Sequence, residues 1–352
     1  METKRLILRR FEYGDSAAML KNWIADPRIQ SMYSEPVYRT ETEVRGLLDK
    51  WICSYDRTDF YRFAVVERSR GECIGQIAFF LVDSKNNFGE LEYCIGDEFQ
   101  RKGYCTEAVK AMCEFGFADI GFHKIQVCHK ENNPASRGVI QKCGFTYEGM
   151  LRDFFFMDGA YVSRLYYSML KSEYEDMVCL VPPSEELEAA ALDYRSEHFD
   201  AGETVINGSA LFDRIESYGG WLEHVRRNAD RKTVRPDWVP SSTFFGVRRR
   251  DGRIVGIIDI RHELNDCLRE CHGHIGYAVR PSERRKGYAT QMLKLALEHC
   301  RTLGLDEVML GCYKDNDPSV RTIKKCGGIV KEEKPYLDGR PMLVFRIELR
   351  DG

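Results

Sequence analysis

No apolar run in this chain approaches the ~18 residues that a membrane-spanning helix needs. No Gly-x-Gly-x-x-Gly stands at the first strand, and no Gly-Lys-Ser/Thr closes a glycine loop. A Rossmann dinucleotide site and a Walker nucleotide site are both disfavoured on that ground. Charge of one sign is also scarce. Lys and Arg number 52 against 55 Asp and Glu, a formal net charge of −3, so no global pull toward nucleic acid exists. The basic clusters Arg226-Arg227, Arg231-Lys232 and Arg248-Arg249-Arg250 are local and read as solvated surface. A secretory pattern is missing too, because Met1-Glu2-Thr3-Lys4-Arg5 leads straight into a short amphipathic strand. The 13 cysteines are scattered and odd in number, which reads as reduced thiols and predicts a cytoplasmic protein. Cys267, Cys271, His272 and His274 form the one cluster with metal-ligand chemistry. Cys-x3-Cys followed at once by His is not a standard zinc spacing, so these residues are assigned to loop and strand and no metal is expected.

What the chain does have is a repeat. Gln100-Arg101-Lys102-Gly103-Tyr104-Cys105-Thr106 returns as Arg284-Arg285-Lys286-Gly287-Tyr288-Ala289-Thr290. Each copy follows an apolar strand-like run, Leu91–Ile95 or Ile275–Val279, and opens a run of helical period. Gly89 precedes Gly103 by the same interval that separates Gly273 from Gly287. Downstream, Asn133-Pro134-Ala135-Ser136 is echoed by Asn316-Asp317-Pro318-Ser319, and Lys142-Cys143-Gly144 by Lys325-Cys326-Gly327. One insertion between helix and Asn separates the two registers. The spacing implies two copies of one domain, with boundaries at 1–175 and 176–352.

The strand–loop–helix pattern has a chemical meaning. A helix N-terminus presents unpaired N–H groups and partial positive charge to one point. The glycine lets an anion approach the backbone, and the Arg and Lys side chains surround it with charge. A diphosphate suits such a loop. Tyr104 and Tyr288 contribute through their backbone N–H groups.

Along the chain, residues 4–11 alternate as a first strand, and Asp15 is expected to cap a helix running to about Ala25. Thr40 and Glu43 form a capping-box pattern for a helix to Trp51. Phe60–Glu67 and Cys73–Val82 read as a hairpin around Gly71, and Phe145–Leu151 and Val162–Leu170 as a second around Asp158-Gly159. Lys171–Met177 is charged and aperiodic and marks the boundary. The second half repeats this order, except that 202–240 is irregular and lacks a counterpart of matching length. Each half is therefore an α/β (α+β) domain, a mixed, mostly antiparallel sheet flanked by helices, in which only the central strand–helix–strand unit calls for parallel pairing.

The Gln/Arg-x-x-Gly-x-Gly/Ala loop after a strand resembles motif A of the GNAT superfamily of acetyl-CoA N-acetyltransferases. The Asn-x-x-Ser and Lys-Cys-Gly segments are similar to its downstream motif. The first half resembles the branch that acetylates ribosomal-protein N-termini, through Phe145-Thr146-Tyr147-Glu148-Gly149 and Asp158-Gly159-Ala160-Tyr161. The second resembles a poorly characterised acetyltransferase branch, through Gly273–Tyr277 and Arg280–Arg284. The resemblance implies that both loops hold the CoA diphosphate. It also implies that the pantetheine arm pairs with the preceding strand, at Cys94 and Ile95 and at Val279. Asn133, Ser136, Asn316 and Ser319 either touch the cofactor arm or cap the next helix. Three departures stand out. Cys105 occupies a position where the family prefers Gly or Ala, Ser163 stands where the first branch usually has Asp, and no Tyr follows Asn133 or Asn316 at the general-acid position.

Acetyl transfer to an amine sets its own demands. An alkyl ammonium titrates near ~10 and must lose a proton before attack, which a carboxylate can accept, often through water. Glu90 and Glu92 share one strand face by alternation, and two carboxylates facing a cleft would raise each other's pKa toward a useful base. In the second copy His274 and Gly276 replace them. A neutral imidazole can serve as base, although a structural histidine in a strand is the stronger reading of His274. The expectation is thus a tandem N-acetyltransferase using acetyl-CoA as co-substrate, with no metal, no nucleic acid and no membrane. The acceptor is a protein N-terminus, a small amine or an aminated antibiotic. The alternative is one catalytic domain fused to a degenerate regulatory copy.

Overall fold

The computed structural model describes residues 1–33 and 36–349. The chain divides into two compact units, Met1–Tyr174 and Glu175–Gly352. Both are α/β, with antiparallel-dominated sheets flanked by helices.

The first unit begins with β1 (Leu6–Arg9) and three helices, α1 (Ser16–Met19), α2 (Pro27–Tyr33) and α3 (Glu41–Cys53). Strands β2 (Tyr61–Glu67), β3 (Glu72–Asp83) and β4 (Phe88–Ile95) lead to helix α4 (Tyr104–Glu114). Strand β5 (Lys124–Lys130), helix α5 (Pro134–Lys142) and the hairpin β6 (Thr146–Met157) and β7 (Ala160–Leu170) complete it. They form one seven-stranded sheet in the order β1-β2-β3-β4-β5-β7-β6. Only β4 and β5 run parallel, and their register covers Phe88↔Lys124 to Leu91↔Val127. Beyond Leu91 the two strands part, and this opening places the site. One sheet face carries Ala64, Val66 and Cys94 against Trp23, Val44 and Leu48 of the first helices. On the other face Phe63 meets Phe115 just past α4, and Phe79 packs edge-on against Phe122.

Local chemistry explains the helix starts. Thr40 accepts from the Glu43 N–H while the Glu43 carboxylate accepts from the Thr40 N–H, so the expected capping box forms. Asp15 acts differently from expectation. A tight 3-10 turn, Tyr13–Asp15, extends the first helix backward, with Glu12 at its N-cap. The Asp15 carboxylate is free to take the Arg9 guanidinium at 2.7 and 2.8 Å and the Glu12 N–H at 2.9 Å. The aperiodic stretch after β7 is also ordered, as a short helix α6 (Lys171–Glu175).

The second unit comprises β8 (Val178–Val181), α7 (Glu188–Asp200), α8 (Tyr218–Asn228), β9 (Ser241–Arg248), β10 (Ile254–Arg261) and α9 (Asp266–Cys271). It continues with β11 (Ile275–Val279), α10 (Tyr288–Thr302), β12 (Glu307–Tyr313), α11 (Asp317–Lys325), β13 (Ile329–Pro335) and β14 (Pro341–Glu348). One core joins both sheets to α10 and α11 through Val255, Met292, Leu293, Ala296, Ile323 and Phe345. A second packs α7, α8 and the irregular insert on β9 and β10 around Tyr194, Phe212, Trp221 and Phe245.

Here the parallel pair expected from the repeat is not a ladder. The strands separate into β11-β10-β9-β8 and β12-β14-β13, and every pairing in them is antiparallel among the described residues. The cause lies at Gly273 and His274. Gly273 is left-handed (φ +69) and so close to β12 that an added Cβ would lie 2.3 Å from the Met309 carbonyl oxygen. His274 donates its N–H to Met309 O at 2.8 Å, and its Nδ1 accepts the Met309 N–H at 3.0 Å. A side chain thus takes the place of a strand carbonyl, and the ladder stops. The Cys267–His274 stretch is likewise not loop and strand throughout. Its first part is α9, capped by Asn265, whose Oδ1 accepts from Leu268 N at 3.0 Å. The side chain of Cys271 lies outside the described residues.

Candidate functional site

Both glycine loops have the same backbone. Gln100 and Arg284 are extended, Arg101 and Arg285 are left-handed at φ +59 and +64, and Gly103 and Gly287 are left-handed at +79 and +86. Each helix then starts with no side chain capping it. The first intrahelical bond of α4 is Glu107 N to Gly103 O at 3.1 Å, so the N–H groups of Tyr104, Cys105 and Thr106 precede it. Two successive left-handed turns aim these donors at one point, which is an anion-binding geometry.

The agreement between the copies extends to single atoms. Gln100 Nε2 donates to Ile95 O at 3.0 Å, and Arg284 Nε to Val279 O at 3.1 Å. Tyr93 shares a hydrogen bond with Ser136 Oγ at 2.9 Å, and Tyr277 with Ser319 Oγ at 2.9 Å. The Cys143 and Cys326 thiols donate to Thr106 O and Thr290 O, each at 3.8 Å. Asn133 and Asn316 spend their side-chain carbonyls as helix caps, accepting from Ser136 N at 3.0 Å and Ser319 N at 3.3 Å. Both residues therefore make the cap that the sequence allowed. Burial pushes the Cys105 thiol well above its ordinary pKa, so it is a packed neutral group.

The loops differ in charge. Arg101 and Lys102 have no carboxylate partner among the described residues, and Lys102 only overlies the Phe99 ring at 5.6 Å. Arg5 braces this loop, donating to Lys102 O at 2.7 Å and pairing with Glu107 at 2.7 Å. In the second copy Arg284 is held bidentately by Glu203 at 2.6 and 2.7 Å. Lys286 is held by Glu283 at 2.8 Å, a carboxylate that Arg248 also reaches at 3.0 Å. Only Arg285 of that loop keeps an uncompensated charge among the described residues.

The strand face differs as well. Glu90 and Glu92 do share a face, but each has its own cation. Glu90 is buried, with Arg164 at 2.6 Å on one oxygen and Gln126 at 2.8 Å on the other. Glu92 takes Arg62 at 2.6 Å on Oε1, while Oε2 has no partner among the described residues. Arg62 also donates to Gln76 and lies over the Trp51 ring at 4.6 Å. The arrangement is two Glu–Arg pairs, not two carboxylates pressed together. Arg62, Arg164 and Gln126 were missed from the sequence, because strand alternation places a residue on a face without naming its cross-strand partner.

In the second copy Gly276 stands at the Glu92 position, and the insert closes over it. An added Cβ on Gly208 would lie 2.1 Å from Gly276 O, so the two backbones are in direct contact. Trp221 Nε1 holds the insert there, donating to Ser209 O at 2.9 Å and Ala210 O at 3.1 Å. His274 is buried with Nδ1 committed to Met309. Burial, aided by Arg346 and Arg261, lowers its pKa to about 4. The imidazole is therefore neutral at pH 7, with Nδ1 spent as a structural acceptor.

Comparison with known proteins gives a consistent result. A model described as an acetyltransferase (GNAT) domain matches residues 5–146, and one described as the acetyltransferase (GNAT) family matches residues 212–328. The chain is similar to the uncharacterized N-acetyltransferase YnaD of Bacillus subtilis, 31% identical over 49% of this chain and 97% of that protein. It is similar to the spermidine N(1)-acetyltransferase of Vibrio cholerae, 29% identical over 48% of this chain and 95% of that one. A third relative is the putative ribosomal N-acetyltransferase YdaF of B. subtilis, 32% identical over 30% of this chain and 57% of that one. A solved spermidine N-acetyltransferase from V. cholerae, in complex with CoA and spermine, is 26% identical over 49% of this chain and 99% of that one, with a TM-score of 0.44.

Proposed function

Both halves of this chain belong to the GNAT family of N-acetyltransferases, and from that premise we propose that the first domain, residues 1–175, carries the transferase activity, moving acetyl from acetyl-CoA to a primary amine by direct attack. Residues 176–352 are a second domain of the same family that keeps the phosphate loop and has lost the acceptor face. The observation that carries this reading is that the first domain joins a strand edge opening beyond Leu91 to an uncapped helix N-terminus whose Arg101 and Lys102 are unneutralised, whereas Arg284 and Lys286 of the second loop are paired with carboxylates. Oxygen-rich phosphates fit those N–H groups. The freed edge of Glu92–Ile95 fits an extended amide-bearing arm, and the Gln100 bond to Ile95 O fixes where the loop begins.

On this reading Glu92 is the proton acceptor, since Oε2 is open while both Glu90 oxygens are engaged. Glu90 is a positioning residue that holds Arg164. The second domain offers neither carboxylate, and Gly208 lies where an acceptor would have to sit. This observation favours one catalytic domain joined to a CoA-binding copy over two equal enzymes.

The test is thiol release from acetyl-CoA by the full chain, with Gly103→Glu and Gly287→Glu compared. Loss of turnover on the first change and retention on the second supports the assignment. Turnover that survives Gly103→Glu and disappears on Gly287→Glu refutes it.

A further inference from the structure

The acceptor face of the first domain has an unusual electrical balance. A cleft of about 330 Å³ is walled in part by Arg57, Asp59, Phe60, Arg62, Phe80 and Leu81; Glu92 is not in its lining and is joined to it by the 2.6 Å bond from Arg62. Arg57 and Asp59 satisfy each other at 2.9 Å on both arms. Arg62 does not exhaust its donors. A guanidinium has five N–H groups, and here one goes to Gln76 and one to Glu92. Its buried Nε has no partner among the described residues. A cation in a cleft wall whose terminal nitrogens keep unused donors is a place for an anion. Phe80 and Leu81 stand exposed at the rim, so the rest of that wall is apolar.

Counting charges selects the guest. Glu90 and Glu92 are balanced by Arg164 and Arg62, and Asp59 by Arg57. A polyamine carries several positive charges and needs an excess of carboxylates, which this face does not offer. A guest with one ammonium and one carboxylate matches a face with no net charge. Its ammonium meets the open Glu92 oxygen, its carboxylate meets Arg62, and an apolar side chain meets Phe80 and Leu81. We infer that the acceptor of the first domain is a small zwitterion of the amino-acid type with an apolar side chain. The inference rests on the transferase reading above. In the reaction the acceptor nitrogen loses one proton to Glu92 and bonds to the thioester carbon. The C–S bond breaks and sulfur leaves with the electron pair. The second nitrogen proton passes to the departing thiolate, leaving an N-acetyl amino acid and CoA thiol.

The experiment measures thiol release by the full-length protein with L-leucine and L-phenylalanine, their C-terminal amides, spermidine and a short peptide. Each free acid is expected to exceed its amide by about tenfold or more in kcat/KM, the worth of one charge-assisted contact. The ratio is read in the unaltered protein and so does not depend on a variant folding. Arg62→Met should collapse it toward one, and Arg62→Lys should restore part of it. Amides equal to acids, or spermidine or peptide as the best acceptor, would overturn the inference and leave the transferase reading standing. Acetyl-CoA binding with no thiol release from any amine would overturn both.

Discussion

Replacing Gly103 separates the backbone requirement of the phosphate loop from its charge requirement. Gly103 sits at φ +79, where an L-residue costs roughly 1–2 kcal/mol. The nearest atom to an added Cβ is Arg5 Nη2 at 3.3 Å, the far end of a side chain. That side chain is nevertheless anchored on Lys102 O and Glu107, so it yields reluctantly. In a domain of this size ~1 kcal/mol moves the thermal midpoint by about 2–4 °C. Gly103→Ala should therefore lower the midpoint by a few degrees. Gly103→Glu adds a carboxylate beside the bound diphosphate. Two unit charges ~5 Å apart repel by about 3 kcal/mol at an effective dielectric of ~20. The loop is exposed, and solvent screening reduces this by about half. Acetyl-CoA affinity should then fall at least ~10-fold further for Glu than for Ala, while the two variants melt within a few degrees of each other. Isothermal titration with CoA and thermal unfolding of the full chain measure both quantities. A Gly103→Glu protein that binds CoA as tightly as Gly103→Ala would place the diphosphate elsewhere and defeat the argument.

Three further outcomes are expected. Glu90→Ala strands the Arg164 guanidinium, a pair with both side chains largely buried, and should cost about 3–5 kcal/mol of stability by denaturant titration; an unchanged midpoint would mean the pair is solvated. His274→Ala orphans the Met309 N–H and should cost about 1–3 kcal/mol without changing thiol release. The His274 pKa is held down to about 4 from an ordinary 6.5, so its contribution is complete above pH ~6.5 and is lost as pH falls through about 4. Urea midpoints of the unaltered protein should therefore drop between pH 7 and 4 more steeply than those of His274→Ala, and parallel slopes would exclude His274 as the source. Gly208→Ala introduces both a left-handed strain at φ +67 and a 2.1 Å overlap with Gly276 O. It should loosen the second domain measurably by hydrogen exchange while acetyl transfer proceeds unchanged; a parallel loss of transfer would tie the insert to catalysis.

Much of this molecule was legible in the chain itself. The repeated loops, their strands and helices and the Asn-x-x-Ser caps follow from glycine placement, helical period and fixed spacing, which are local properties. Gly103 and Gly287 are needed wherever the backbone turns left-handed before a helix, and the sequence states that need directly. The Asn133 and Asn316 caps were legible because a cap needs only neighbours three residues away.

Pairing across long separations was beyond local reasoning. Glu90 meets Arg164 over 74 residues and Glu92 meets Arg62 over 30, and both partners come from strands whose register is set by the whole sheet. The second copy carries the same loop, yet its insert supplies Glu203 to Arg284 and Gly208 to Gly276. Sequence alone determined that two diphosphate-shaped loops exist, since each is specified within a dozen residues. Tertiary structure decided which loop keeps its cations unpaired and which is neutralised and overlain by an insert, because burial and charge compensation depend on segments that meet only when the chain is folded.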